Sequence, residues 1–169
     1  MERVRLELAV IVTSLLLLGL YFSDTSVTGF ASTQVFYKKL NLTVEVSQSF
    51  SIRDSKPFSI SSFTAAGDIA GSGAVLIELD NGIGGKKTVF SNNKTTTQIT
   101  TEDAGYESPV TIEPRQLLAG QPGGDVFHVD GFESCSDACA VDWNQQEYFL
   151  NVYVAPGTKV LLTKIVYTS

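Results

Sequence analysis

Apolar and polar residues alternate along much of the chain beyond residue 33. In the first such stretch the apolar residues fall on even positions: Leu40, Leu42, Val44, Val46, Phe50 and Ile52. Asn41 and Thr43 lie between them, and a period of two is typical of a strand with one buried face. The pattern predicts a half-buried strand that presents Asn41 to solvent.

Similar short units follow, separated by turn signals. Residues 54–57 (DSKP) and 80–85 (DNGIGG) carry the Asp, Asn, Gly and Pro residues that favour turns. Strands are predicted over 74–79, 87–90 and 126–132, and around Val110 and Ile112. We find no convincing amphipathic helix beyond the N-terminal segment.

The C-terminal region alternates most regularly. Its first half has apolar residues at Tyr148, Leu150, Val152 and Val154, and a second apolar stretch covers 159–167. Between them, Ala155-Pro-Gly-Thr158 places Pro and Gly at the two central positions of a type II turn. The pattern predicts an antiparallel hairpin.

These units predict about eight or nine strands, which is typical of an all-β sandwich. We expect residues 34–169 to form a single antiparallel β-sandwich, jelly-roll-like or immunoglobulin-like, with a core of its own.

The N-terminus is different, because residues 8–22 form an uncharged apolar run. The length lies between a signal-peptide core and a membrane-spanning helix. As an anchor, the hydrophobic helix of residues 1–22 would keep Arg3 and Arg5 in the cytoplasm. As a signal peptide it would be cleaved before Ser32, and a third reading is a core helix of a cytosolic protein. Residues 23–33 read as a linker.

In the first two readings the rest of the chain is outside the cell, either held by a single-pass anchor or secreted. Asn41 and Asn93 begin N-glycosylation sequons. Cys135 and Cys139 are four residues apart, close enough for a disulfide. Free thiols, or a metal site that also uses His128, are the alternatives.

Composition limits the function. The chain has 169 residues, a net charge of −6 and one His, so nucleic-acid binding and His-based catalysis are disfavoured. Residues 116–158 have no Lys or Arg. Their acidic side chains could bind a structural calcium or simply face solvent: Asp125, Asp130, Glu133, Asp137, Asp142 and Glu147. Two of these carboxylates could also form a glycosidase pair, although we expect no enzyme.

Trp143 offers a ligand-binding hypothesis. It lies between Asp142 and Asn144 in a polar segment read as a loop. The indole could stack on a sugar ring while the polar neighbours bind its hydroxyl groups. The alternative is that Trp143 covers one end of the core.

Several segments resemble small membrane-anchored archaeal surface proteins with a single jelly-roll domain. These are the linker residues 28–32 (TGFAS), the strand 40–46 (LNLTVEV), residues 67–92, the loop 135–139 (CSDAC) and residues 148–168. The resemblance implies a fold and a location, not an activity. The start of the chain, with YFSDTS at 21–26, also resembles the TasA/camelysin family of secreted fibre-forming sandwiches.

The favoured function is a non-enzymatic cell-surface protein for adhesion, envelope structure or glycan binding, with the membrane as one partner. The first alternative is a homo-oligomeric filament subunit, in which residues 32–37 add as a strand to a neighbouring copy. The second is an exported carbohydrate-active enzyme.

Overall fold

The computed structural model describes residues 33–93, 105–117 and 131–169. The predicted N-terminal helix of residues 1–22, and the linker apart from Thr33, lie outside the described residues. Within the described ranges there is no helix long and apolar enough to cross a membrane.

Ten strands and one short 3₁₀ helix (Ser136–Cys139) make up the described part of the chain. The strands are β1 (Val35–Val44), β2 (Gln48–Ile60), β3 (Ser62–Ala70), β4 (Val75–Asp80), β5 (Lys86–Ser91), β6 (Tyr106–Glu107), β7 (Thr111–Leu117), β8 (Gly131–Ser134), β9 (Trp143–Val154) and β10 (Lys159–Thr168). The predicted all-β class is confirmed.

The strands form two five-stranded sheets. One has the order β6-β1-β10-β3-β8 and the other β5-β4-β9-β2-β7. Neighbouring strands are antiparallel except β1 and β6, which are parallel. The predicted sandwich is therefore confirmed, with one parallel pair at an edge of the first sheet.

The core lies between the sheets because inward positions on both are apolar. The second sheet contributes Ile52, Ile60, Ile77, Leu79, Tyr148 and Leu150, and the first contributes Phe63, Leu162 and Ile165, all with less than 2% exposure. Phe50 and Ile52 follow the predicted alternation, but Val46 is 59% exposed. Val46 falls in the turn between β1 and β2, where the chain passes from one sheet to the other.

The predicted C-terminal hairpin is wrong. β9 pairs with β2 and β4, whereas β10 pairs with β1 and β3 in the opposite sheet. The turn itself is confirmed, because Thr158 N donates to Ala155 O at 3.2 Å and Gly157 has φ 79°. This tight turn connects the two layers.

The turn predicted at residues 54–57 is also wrong. β2 continues through this segment to Ile60, and its register with β9 shifts between Arg53 and Phe58. The Asp-Ser-Lys-Pro sequence therefore produces an irregularity inside a strand, as β-bulges do. Pro114 similarly lies inside β7, which is an edge strand and tolerates it.

Candidate functional site

The outer face of the second sheet carries a polar track on its two long strands. Since Phe50 and Ile52 point into the core, their β2 neighbours Ser49, Ser51 and Arg53 point outward. The serines are small, and larger side chains on β7 and β9 stand on either side of them. Both serines are buried, so the neighbouring side chains cover them.

Hydrogen bonds connect β2 to β9 across this face. Ser49 Oγ donates to Asn151 Oδ1 at 2.8 Å. Glu147 Oε1 accepts from Ser51 Oγ at 2.6 Å and from Arg53 Nη2 at 2.7 Å. These two donors lower the pKa of Glu147, and the bond to Glu147 raises the pKa of Arg53. Glu147 is therefore held ionised and oriented.

An aromatic ring lies beside this cluster. Phe149 alternates with the buried Tyr148 and Leu150, so it belongs to the outer face. In the strand register it stands opposite Ser51. The guanidinium carbon of Arg115, on β7, lies 4.5 Å from the centroid of the Phe149 ring. The face thus combines one aromatic platform with charged and hydroxyl groups.

Two adjoining depressions cross the face. The first, of about 440 Å³, is lined by residues that include Ser51, Arg53, Asp54, Thr111, Glu113 and Gln146. The second, of about 450 Å³, is lined by residues that include Arg53, Asn81, Ile83, Gln146, Glu147 and Phe149. Because both contain Arg53 and Gln146, we describe them together as the sheet-face groove.

The β4–β5 loop borders one end of the groove. Asn81 Oδ1 accepts from Ile83 N at 3.1 Å and from Gly85 N at 2.8 Å, which fixes the loop. Gly82 has φ 75°, and a Cβ there would lie 2.9 Å from Cε2 of Phe149. The loop thus lies against the aromatic platform and leaves Ile83 76% exposed.

The structure separates the residues of the tryptophan hypothesis. Trp143 is the first residue of β9 rather than part of a loop, and it pairs with Ile60. Its half-buried ring packs against the core and stacks on Tyr148 at 6.4 Å between centroids. Asp142 and Asn144 are exposed, and successive strand residues point to opposite faces. The side chains of Trp143 and Asn144, which are successive residues of β9, therefore do not share one face.

The cysteine prediction agrees with the structure. Cys135 and Cys139 form a disulfide with Cα atoms 4.8 Å apart, across the 3₁₀ helix. Ala138 of this helix is fully buried. The disulfide therefore fastens a turn that contributes to the core.

The predicted sequons lie at different places. Asn41 is exposed on β1, as the alternation predicts. Asn93 is half-buried just after β5 and contacts Ser91, and the rest of its sequon lies outside the described residues.

The acidic side chains proposed for calcium are dispersed. Glu133 lies 3.3 Å from Lys164, Glu147 binds Arg53, and Asp137 and Asp142 are exposed. Asp125, Asp130 and His128 lie outside the described residues. Among the residues described, no group of three or more His, Cys, Asp or Glu side chains is placed to hold a metal.

The sequence interpretation missed the groove. A signal was present, since the outward positions Ser49 and Ser51 are small while Phe149 is a large residue at an outward position of β9. Only the strand register shows that these positions are neighbours. Comparisons with protein-family models, curated proteins and solved structures found no significant match to the chain.

Proposed function

We propose that this protein is a non-enzymatic, glycan-binding β-sandwich of the jelly-roll type that works outside the cell. The observation that carries the proposal is the sheet-face groove, in which Phe149 lies beside Arg53, Gln146 and Glu147. Sugars present apolar C–H faces that pack on aromatic rings and hydroxyl groups that bind charged or amide side chains. Arg115 covers one face of the Phe149 ring, and the part of the ring that lines the groove offers the apolar contact, while Arg53, Gln146 and Glu147 offer the polar ones.

The strand order supports the jelly-roll part of the proposal. A jelly roll has eight strands in two sheets, with two Greek-key connections. Here β1-β10-β3-β8 forms four adjacent strands of one sheet and β2-β9-β4-β5 four adjacent strands of the other, while β6 and β7 each extend one edge. Most connections pass from one sheet to the other, as two interlocked Greek keys require.

The state of Glu147 argues against this residue as the proton donor of a glycosidase. A glycosidase needs one carboxylic acid whose pKa is raised, so that it can donate a proton. The pKa of Glu147 is lowered by Ser51 and Arg53. Its fixed carboxylate is suited to accept hydrogen bonds from sugar hydroxyl groups.

Isothermal titration of the full-length protein in detergent with soluble oligosaccharides tests the proposal. We expect saturable binding that Phe149→Ala removes. Tyr37→Ala is the matched control, because Tyr37 is a half-buried tyrosine of β1, in the other sheet. Absence of binding to every glycan, or equal loss in both variants, would overturn the assignment. Hydrolysis of a bound oligosaccharide would overturn its non-enzymatic part.

The location is part of the same proposal. Residues 1–22 anchor the sandwich outside the membrane, and the exposed Asn41 suits a glycosylated surface. N-terminal sequencing of the native protein tests this. An intact start supports the anchor, and a start near Ser32 supports secretion instead.

The filament alternative is less well supported. The filament alternative requires Val35, Phe36 and Tyr37 to pair with a neighbouring copy. In the structure these residues pair with β10 of their own chain. Donation of this segment would require β1 to leave its own sheet. We therefore favour glycan binding.

A further inference from the structure

The shape and charge of the sheet-face groove define the kind of glycan it takes, and this inference rests on the proposed function. We propose that the ligand is an internal segment of a linear polysaccharide without acidic groups. It lies across the strands, from Glu113 on β7 to Ile83 in the β4–β5 loop.

The direction follows from the arrangement of the two depressions. The first lies over β2 and β7, where Ser51 and Glu113 are register partners. The second lies over β9 and the β4–β5 loop, beside Phe149 and Ile83. The path from β7 to β4 crosses three interstrand spacings, a length of about 14 Å. This is longer than one sugar ring, so a single monosaccharide would leave part of the groove empty.

The shared wall of the two depressions lies where the chain would cross between them. Arg53 and Gln146 line both depressions. Ser51 and Arg53 both donate hydrogen bonds to the Glu147 carboxylate. The guanidinium and amide groups can therefore contact two consecutive sugar units. Both depressions are open to solvent, which suits a chain that continues past each end.

Charge disfavours acidic chains. The carboxylates of Asp54, Glu113 and Glu147 line the groove, against the guanidinium group of Arg53. That guanidinium is already bound to Glu147. Arg115, over Phe149, adds a second positive charge beside the groove, so three carboxylates stand against two guanidinium groups. The whole protein carries a net charge of −6. An anionic polymer would meet repulsion both in the groove and at long range.

Ile83 forms the far end of the path. It is 76% exposed, yet its loop is fixed by the Asn81 side chain. A rigidly presented apolar side chain at the edge of a polar groove can pack against the C–H face of one more sugar unit. Its contribution should therefore appear only with chains long enough to reach it.

Isothermal titration of the full-length protein with oligosaccharide series, from monosaccharides to hexasaccharides, tests the inference. The ligands compared are neutral β-glucan and mannan oligomers, amino-bearing chitosan oligomers and acidic oligouronates. We expect affinity to increase with length, and oligouronates to bind more weakly by about tenfold or more than uncharged or amino chains of equal length. Stronger binding of oligouronates, or monosaccharides that bind as well as hexasaccharides, would overturn this inference and leave glycan binding intact. No binding in any arm would instead overturn the proposed function.

Ile83→Ala tests the far end. We expect about a tenfold loss of affinity for the longest oligomer that binds and no change for the shortest. Val46→Ala is the matched control, because Val46 is 59% exposed in the turn between β1 and β2 and does not line the groove. An equal loss at every length, or no loss at any length, would contradict the proposed path.

Discussion

The hydroxyl group of Tyr148 joins two parts of the second sheet where the strand register is interrupted. The side chain is fully buried. Its oxygen lies 2.8 Å from Phe58 O and 2.9 Å from Trp143 O, and it accepts from Gln145 N at 2.9 Å. Phe58 follows the register shift in β2, and Trp143 and Gln145 lie at the start of β9. We predict that Tyr148→Phe destabilises the protein substantially.

The magnitude follows from the groups that lose their partner. A buried backbone group without a hydrogen bond costs about 1–3 kcal/mol. Removing the Tyr148 hydroxyl group leaves the Gln145 N–H and one backbone carbonyl without a hydrogen-bond partner. The aromatic ring keeps its packing. We expect the free energy of unfolding to fall by about 2–3 kcal/mol and Tm by about 8–12 °C.

Urea denaturation followed by fluorescence measures this change. Trp143 is the one tryptophan of the chain and stacks on Tyr148, so its emission reports directly on this region. Tyr153→Phe is the matched control, because Tyr153 is a half-buried tyrosine on the outer side of the same strand. We expect the control to change stability by less than about 0.5 kcal/mol. A similarly small effect of Tyr148→Phe would refute the reasoning.

The same substitution should change the response to alkaline pH. Burial raises the pKa of Tyr148 above its ordinary value of 10.0. The folded state therefore holds the proton more tightly, and this stability is complete below pH 10 and is lost as the pH rises through the folded pKa. Tyr148→Phe should lose stability less steeply than the wild type above about pH 10. An unchanged slope would show that Tyr148 ionises as easily when folded.

Three further predictions concern stability. Replacing Cys135 and Cys139 together by serine should lower the free energy of unfolding by about 2 kcal/mol, because the disulfide closes a short loop. An unchanged urea midpoint would contradict this. Glu147 has a pKa lowered from 4.5, so its stabilising effect is present above about pH 4.5 and lost as the pH falls through the folded pKa. The stability difference between wild type and Glu147→Gln should therefore shrink in acid, and a difference that is constant with pH would contradict it. Gly157→Ala should cost about 1–2 kcal/mol because φ is 79° there, and Gly157→Asn should cost less; equal costs would argue against backbone strain.

Local alternation in the sequence predicts the strands and their buried faces well. Leu150 and Val152 are buried where the period of two places them, and so are Phe50 and Ile52. The reason is physical: a strand between a core and solvent must alternate, whichever strands it pairs with. Alternation therefore identifies inward positions without identifying neighbours.

Strand pairing is the part that local patterns cannot provide. A tight type II turn after Val154 is compatible with a hairpin or with a passage between layers. The actual partners of β10 begin at Val35 and Ser62, about a hundred residues earlier in the sequence. Only the packing of all strands together decides between these arrangements, so the hairpin prediction was wrong although its turn was right.

The prediction of a loop at the start of β9 was wrong for a related reason. Residues 142–147 are rich in Asp and Asn, which are poor strand formers, and in the polar residue Gln. This composition predicts a loop. In the structure, hydrogen bonding to β2 extends β9 to Trp143. Tertiary pairing thus overrides local preference. It places Trp143 against the core, which agrees with the alternative that Trp143 covers one end of the core.

The position of β9 explains why a binding site and a stable core can occupy the same strand. β9 lies at the centre of its sheet, with β2 on one side and β4 on the other. Its inward residues Tyr148 and Leu150 are packed between the layers, while Glu147 and Phe149 project outward. Both neighbours fix the backbone, so the outward side chains need little ordering when a ligand binds. Substitution at Phe149 should therefore lower ligand affinity with little effect on the free energy of unfolding. Substitution at Tyr148 should lower both, because it disturbs the position of β9 itself.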